Sequence, residues 1–158
     1  MMKQPLEVKF VNSDVLGIDG ELCIGCGACM MMCSLYNEGV VSPALSRIRI
    51  ARNPLDAEYE ASICQQCLAP SCYVACPEAD YALCFDEENG VKFINSDCCI
   101  SCGACVQACP FDPKTIYTYP DSGIAYKCDL CADRPEGPIC VEYCPEKALF
   151  VIKASERC

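Results

Sequence analysis

Cys99-Ile100-Ser101-Cys102-Gly103-Ala104-Cys105-Val106-Gln107-Ala108-Cys109-Pro110 sets four thiols at spacings of two, two and three residues and ends on proline. The same unit recurs three times. Cys23, Cys26, Cys29 and Cys33 repeat the spacing without the proline. Cys64, Cys67, Cys72 and Cys76 widen the second gap to four residues and precede Pro77. Cys128, Cys131, Cys140 and Cys144 widen it to eight and precede Pro145. One short unit used four times is a repeat architecture, and its chemistry is that of the thiol.

Composition narrows that chemistry. The chain has 158 residues, one domain's length or two very small ones. Cys supplies 19 of them, and without Cys the apolar share is only about 41%. A chain this poor in ordinary core needs disulfides or metals to hold it. His is absent. That excludes a Cys2His2 zinc site, a Rieske centre, CxxCH haem attachment and any His general base. The start, Met1-Met2-Lys3-Gln4-Pro5-Leu6-Glu7-Val8, has no apolar run of a secretion signal, and no stretch is long enough to cross a membrane. The expected compartment is therefore the reducing cytoplasm, where Cys serve metals more than disulfides. A formal charge of −10 with scattered cations argues against nucleic acid and anionic membrane as partners.

The x2, x2, x3 run resembles that of bacterial ferredoxins, in which each [4Fe–4S] cube takes four thiolates and the fourth Cys of a run serves the other cube. Sixteen Cys supply four such cubes. Gly25, Gly27 and Gly103 keep the loops small where the chain wraps a cube. The prolines fix the exit of the fourth ligand. A zinc module uses paired CxxC motifs, and the tight third and fourth ligands here do not suit it. A cube bound by four Cys has no open coordination site. The chain is read as a conductor of electrons with no catalytic residue of its own. The net negative charge should hold the cube potentials low.

Cys84, Cys98 and Cys158 remain outside the runs and are read as non-ligands. Met30, Met31 and Met32 are expected to pack in the core. Tyr117, Tyr119, Tyr126 and Tyr143 are expected to shield cubes, and Asp86-Glu87-Glu88 to form a solvated turn. Alternation predicts strands over 46–51 and 90–95, a hairpin over 115–127 and a last strand over 148–152. Helices are expected over 28–36 and 104–108, each repeat having a short helix that starts near its fourth ligand. The fold class is α+β, with short elements around a core filled by clusters.

The order of the runs, with their four- and eight-residue insertions, resembles the four-cluster electron-transfer subunits of molybdenum and tungsten oxidoreductases. The resemblance covers 21–152. It implies two intertwined ferredoxin-like dicluster modules in a single 1–158 unit. The outer module takes approximately 1–60 plus 120–158, and the inner approximately 61–119. It also implies four ligand sets: Cys23, Cys26, Cys29 and Cys144; Cys33, Cys128, Cys131 and Cys140; Cys64, Cys67, Cys72 and Cys109; Cys76, Cys99, Cys102 and Cys105. Spacing alone allows neighbouring runs to pair instead. The stretch from Cys33 through Ser34, Asn37, Pro43 and Arg47 to Ile48 is similar to small subunits beside tungsten enzymes of the aldehyde:ferredoxin oxidoreductase family, aldehyde oxidoreductases and ATP-independent benzoyl-CoA reductases among them. The implied partners are a tungsten or molybdenum pterin catalytic subunit and a further redox subunit or ferredoxin. The alternatives are a subunit of a hydrogenase, formate or CO dehydrogenase complex, a free polyferredoxin, and a structural zinc module.

Overall fold

The structure, a computed structural model, describes residues 12–53, 55–56 and 58–157. In chain order the elements are β1 (Val15–Ile18), α1 (Ala28–Glu38), β2 (Arg49–Arg52), β3 (Tyr59–Ser62), α2 (Ser71–Ala75), β4 (Leu83–Phe85), β5 (Lys92–Ile94), α3 (Ala104–Ala108), β6 (Ile116–Thr118), β7 (Ala125–Lys127), α4 (Ile139–Glu142) and β8 (Leu149–Ile152). The fold is α+β, built of pieces each too short to stand alone.

The strands form four antiparallel two-stranded sheets. Three are local hairpins: β2 on β3, β4 on β5 and β6 on β7. The fourth joins the ends of the described chain, with Val15 opposite Ile152 and Ile18 opposite Leu149. Gly17 in that pair leaves room for Phe150, whose ring would lie 2.7 Å from an added Cβ. The 46–51 strand begins only at Arg49, because the Ser46 hydroxyl donates to the Ile48 carbonyl and bends the chain there. Asp86 accepts from the amides of Glu88 and Asn89, which makes the acidic run a capped, exposed turn.

Helices pair as α1 with α4 and α2 with α3. One hydrophobic cluster gathers Leu16, Ile48, Ile63, Val91, Leu130 and Leu149 around buried Cys of runs one, two and four. A second gathers Tyr73, Leu83, Ile116 and Ala125 around Cys105 and Cys109. Met30 packs against the first cluster and its sulfur accepts the Ile50 amide at 3.4 Å. Met31 departs from the expected core position: it faces solvent, because the inner face of α1 is taken by Cys29 and Cys33. Tyr117 and Tyr119 both contact buried Tyr126, whereas Tyr143 is exposed beyond the end of α4.

Candidate metal centres

The helices do not start near the fourth Cys of each run. They start at or just before the third; three end at or near the fourth, and α1 runs on past Cys33 to Glu38. Cys29 and Cys33 lie within α1. Cys72 lies in α2 and Cys76 caps its end; Cys105 lies in α3 and Cys109 caps its end. Cys140 lies in α4 and Cys144 follows it. In α1 a separation of four residues puts both sulfurs on one helix face, one turn apart, while in the other runs the fourth Cys caps or follows the helix. That placement lets one helix serve two neighbouring sites.

Ahead of each helix the chain turns sharply. The residue before the second Cys is left-handed in every run: Gly25 at φ 65°, Gln66 at 46°, Ser101 at 57° and Leu130 at 61°. Such a turn directs successive N–H groups to one side, which makes a nest for negative charge. At Gly25 a second constraint acts, since an added Cβ would lie 2.0 Å from the Tyr59 ring. Gln66, Ser101 and Leu130 show that the backbone angle alone does not demand glycine. We expect Gly25→Ala to cost about 1–3 kcal/mol through overpacking. The double variant with Tyr59→Ala should lose less than the two single losses added, as read by thermal unfolding of the metal-loaded protein.

Helix pairing then assembles the thiols. Cys23, Cys26, Cys29 and Cys144 line one hollow with Gly25, Gly27 and Pro145. Burial pushes the Cys29 thiol up to about 11, and the neighbouring Cys26, Cys23 and Cys144 push the same way. Cys140 is raised by burial and then by Cys33 and Cys131, and Cys128 by burial and by Cys140. Cys64, Cys67, Cys72 and Cys109 line a second hollow with Lys92 and Lys127. Burial takes Cys72 to about 11. Cys105 is raised by burial and by Cys99, Cys76 and Cys102.

These surroundings suit a polynuclear cation. Burial without positive charge keeps a thiol protonated, so thiolates at these depths need a metal core beside them. Most amides beside these thiols are spent inside the helices: those of Met30, Tyr73, Val106 and Val141 donate to the carbonyls of Gly27, Pro70, Gly103 and Pro138. The Arg47 amide donates to Cys33 Sγ at 3.3 Å. At Cys109 burial acts upward, but the amides of Thr115 and Phe111, the Thr115 hydroxyl and Lys114 outweigh it and lower the thiol. The donor set is thiolate throughout and fits [4Fe–4S] cubes.

Residues 55–153 match the 4Fe-4S dicluster domain, and residues 16–34 match the 4Fe-4S binding domain. The chain belongs to the 4Fe-4S dicluster family. It is an iron–sulfur protein of the ferredoxin type. This dicluster protein is 35% identical over 151 residues to the thiosulfate reductase electron transfer subunit PhsB of Salmonella typhi, covering 87% of this chain and 74% of that one. It is 39% identical over 136 residues to the polyferredoxin-like subunit of an aliphatic sulfonate oxidoreductase from Pyrococcus furiosus, covering 86% and 74%. In structure it is similar to a chain of the BamBC active-site complex of benzoyl coenzyme A reductase, with a TM-score of 0.50, 27% identity and coverage of 88% and 78%.

Outside the runs, Cys84 donates to the carbonyls of Asp80 and Tyr81, while Cys98 Sγ accepts from the Asn95 amide group at 3.6 Å. Cys158 lies outside the described residues. Two buried polar groups of the dicluster protein, Gln66 and Lys127, and the half-buried Arg47 escaped sequence reading. Gln66 donates to the carbonyls of Lys92 and Cys128 and accepts the Lys92 amide. Lys127 reaches the carbonyls of Lys92 and Cys128. Arg47 pairs with Asp129 at 2.8 Å and Glu38 at 3.9 Å. A lone Lys or Arg beside an apolar run reads as surface, and only Lys127 had a signal, its place immediately before Cys128.

Proposed function

We propose that this chain is an electron-transfer subunit that relays electrons through four [4Fe–4S] cubes, between a tungsten- or molybdenum-pterin catalytic subunit and a redox partner. The first cube would be held by Cys23, Cys26, Cys29 and Cys144, and the second by Cys33, Cys128, Cys131 and Cys140. The third would be held by Cys64, Cys67, Cys72 and Cys109, and the fourth by Cys76, Cys99, Cys102 and Cys105. When bound, each cube supplies reversible one-electron reduction.

The linear order of the four thiol sets carries this reading. Helices α1 and α4 each bridge sets one and two, and α2 and α3 each bridge sets three and four. Lys127 Nζ joins set two to set three across the middle, 3.5 Å from Cys64 Sγ and 3.3 Å from the Cys128 carbonyl. The ends are the open parts. Cys26 of set one and Cys102 of set four are exposed, with exposed Leu22 and Ile24 beside one and exposed Ile100 beside the other. Electrons would enter at one end and leave at the other, while buried thiols in the middle keep water out. The relatives named as electron-transfer or polyferredoxin-like subunits support a role beside a catalytic subunit, and the similarity to a chain of the BamBC active-site complex supports a partner that carries an active site. Among the described residues no helix is long and apolar enough to cross a membrane. We place the protein in the cytoplasm on the reducing conditions that its free thiols require.

Anaerobic affinity purification from the native host, with metal and mass analysis, tests the proposal. Iron together with tungsten or molybdenum and a pterin-binding subunit is expected. A nickel-containing partner would move the subunit to a hydrogenase or CO dehydrogenase. A lone brown monomer would make it a free polyferredoxin, and a colourless zinc protein would end the reading.

A further inference from the structure

Lys127 is only 2% exposed. It ends β7, and its Nζ lies 3.5 Å from Cys64 Sγ. It also donates to the carbonyls of Cys128, at 3.3 Å, and of Lys92. Gln66, itself buried, donates to the same two carbonyls. The ammonium is thus fixed where set two meets set three, and it lines the hollow of set three. Burying a charged lysine is costly unless a negative group lies beside it. Two neutral carbonyls do not offset that cost. The thiolate-bound, electron-rich cube of the proposed function does.

The four sets differ in this respect. Lys127 and Lys92, the latter 5% exposed, line the hollow of set three, and Lys114 donates to the Cys109 carbonyl there. The hollow of set one is lined by Glu146 and by no Lys or Arg. Beside set two, Arg47 is paired with Asp129 and Glu38. Positive charge is therefore concentrated on the third position of the series.

We propose that Lys127 is the potential-setting residue of the relay: its buried ammonium against Cys64 makes the third cube the most readily reduced of the four. The claim rests on the four-cube reading above. Adding one electron to a cube adds one negative charge, and a fixed cation nearby favours that state. By Coulomb's law in a protein-like medium, a cation this close raises the reduction equilibrium constant at least about tenfold, which is about 59 mV for one electron. A cube of higher potential at an inner position would hold an electron inside the relay until the acceptor at the far end is ready.

The test is a dithionite titration of the metal-loaded protein followed by EPR, comparing wild type with Lys127→Met, Lys127→Gln and Lys127→Arg. Lys127→Met and Lys127→Gln should lower the highest midpoint by at least about 59 mV, a tenfold change, with iron and sulfide content unchanged. Lys127→Arg should stay near wild type, which a purely structural role would not predict. Neutral variants with full iron and unmoved midpoints overturn the proposal. A measurement on unaltered protein covers the case in which the variants lose iron. Lysine labelled with 15N should change the electron-spin-echo modulation of the first cube to be reduced, and an unchanged modulation overturns the proposal as well. Wild-type protein without iron would instead sink the four-cube reading itself.

Discussion

Stripping iron from this protein with a chelator, under anaerobic reducing conditions, should unfold it. The reason is where its core lies. Cys29, Cys33, Cys64, Cys128, Cys140 and Cys144 make up six of the thirteen buried residues in the larger hydrophobic cluster. These sulfurs face sites built for an inorganic core, so removing that core leaves voids rimmed by thiols rather than packed side chains. No secondary structure compensates. The helices run from four to eleven residues, below the roughly 12–15 needed for marginal stability alone. Each sheet is a single pair of strands, which in water is marginal at best. Where a metal site forms only in the folded state, binding free energy is folding free energy, on the order of 10 kcal/mol or more for structural zinc. The iron-free chain should lose its strand and helix circular dichroism and elute at a larger hydrodynamic radius. Supplying iron, sulfide and a thiol reductant should restore both. An iron-free protein that kept native dichroism and compactness would place the stability in the protein packing and not in the cubes.

The same economy explains what was legible in the sequence. The ligands were, because a cube dictates residue type and spacing directly. The helix over Ala104–Ala108, the hairpin over β6 and β7 and the last strand were also legible from their periodicity. The starts at Ala28 and Ala104 were legible too, but the general rule that each helix begins near its fourth ligand was wrong, and α2 and α4 were given no range. A run of Cys carries no helical periodicity beyond the one i, i+4 pair, and three of the four helices have no more than five residues. The left-handed position before the second Cys was visible only at Gly25. Gln66, Ser101 and Leu130 adopt it because the cluster loop imposes it, against residue preference. Strand β1 had no signal, since Val15-Leu16-Gly17-Ile18 becomes a strand through a partner more than a hundred residues away. The buried Lys127 and Gln66 were hidden for a related reason. Their burial depends on the junction between two helix pairs, which is a property of the assembled series.

Removing thiols two at a time should reveal which runs share a cube. Cys26→Ala and Cys144→Ala should each remove one intact cube, as counted by Mössbauer spectroscopy and EPR. Together they should still remove only one. The geometry behind this is the hollow lined by Cys23, Cys26, Cys29 and Cys144, in which α4 returns the last run onto the first. Cys26→Ala combined with Cys109→Ala should remove two, because Cys109 lines the separate hollow with Cys64, Cys67 and Cys72. The reasoning is that of a double-mutant cycle, in which two changes acting on one site are not additive and two on separate sites are. If neighbouring runs paired instead, run one would share with run two and run three with run four. Cys26 and Cys144 would then belong to different cubes, and their double variant would lose two. The inner positions carry the larger penalty. Cys109 is buried and tied to Thr115 at 3.5 Å, whereas Cys26 is exposed at the end of the series. Loss of the inner cube should therefore lower thermal stability more than loss of the outer one. It should also stop electron transfer from one end to the other, because the proposed series places set three between set four and the other two.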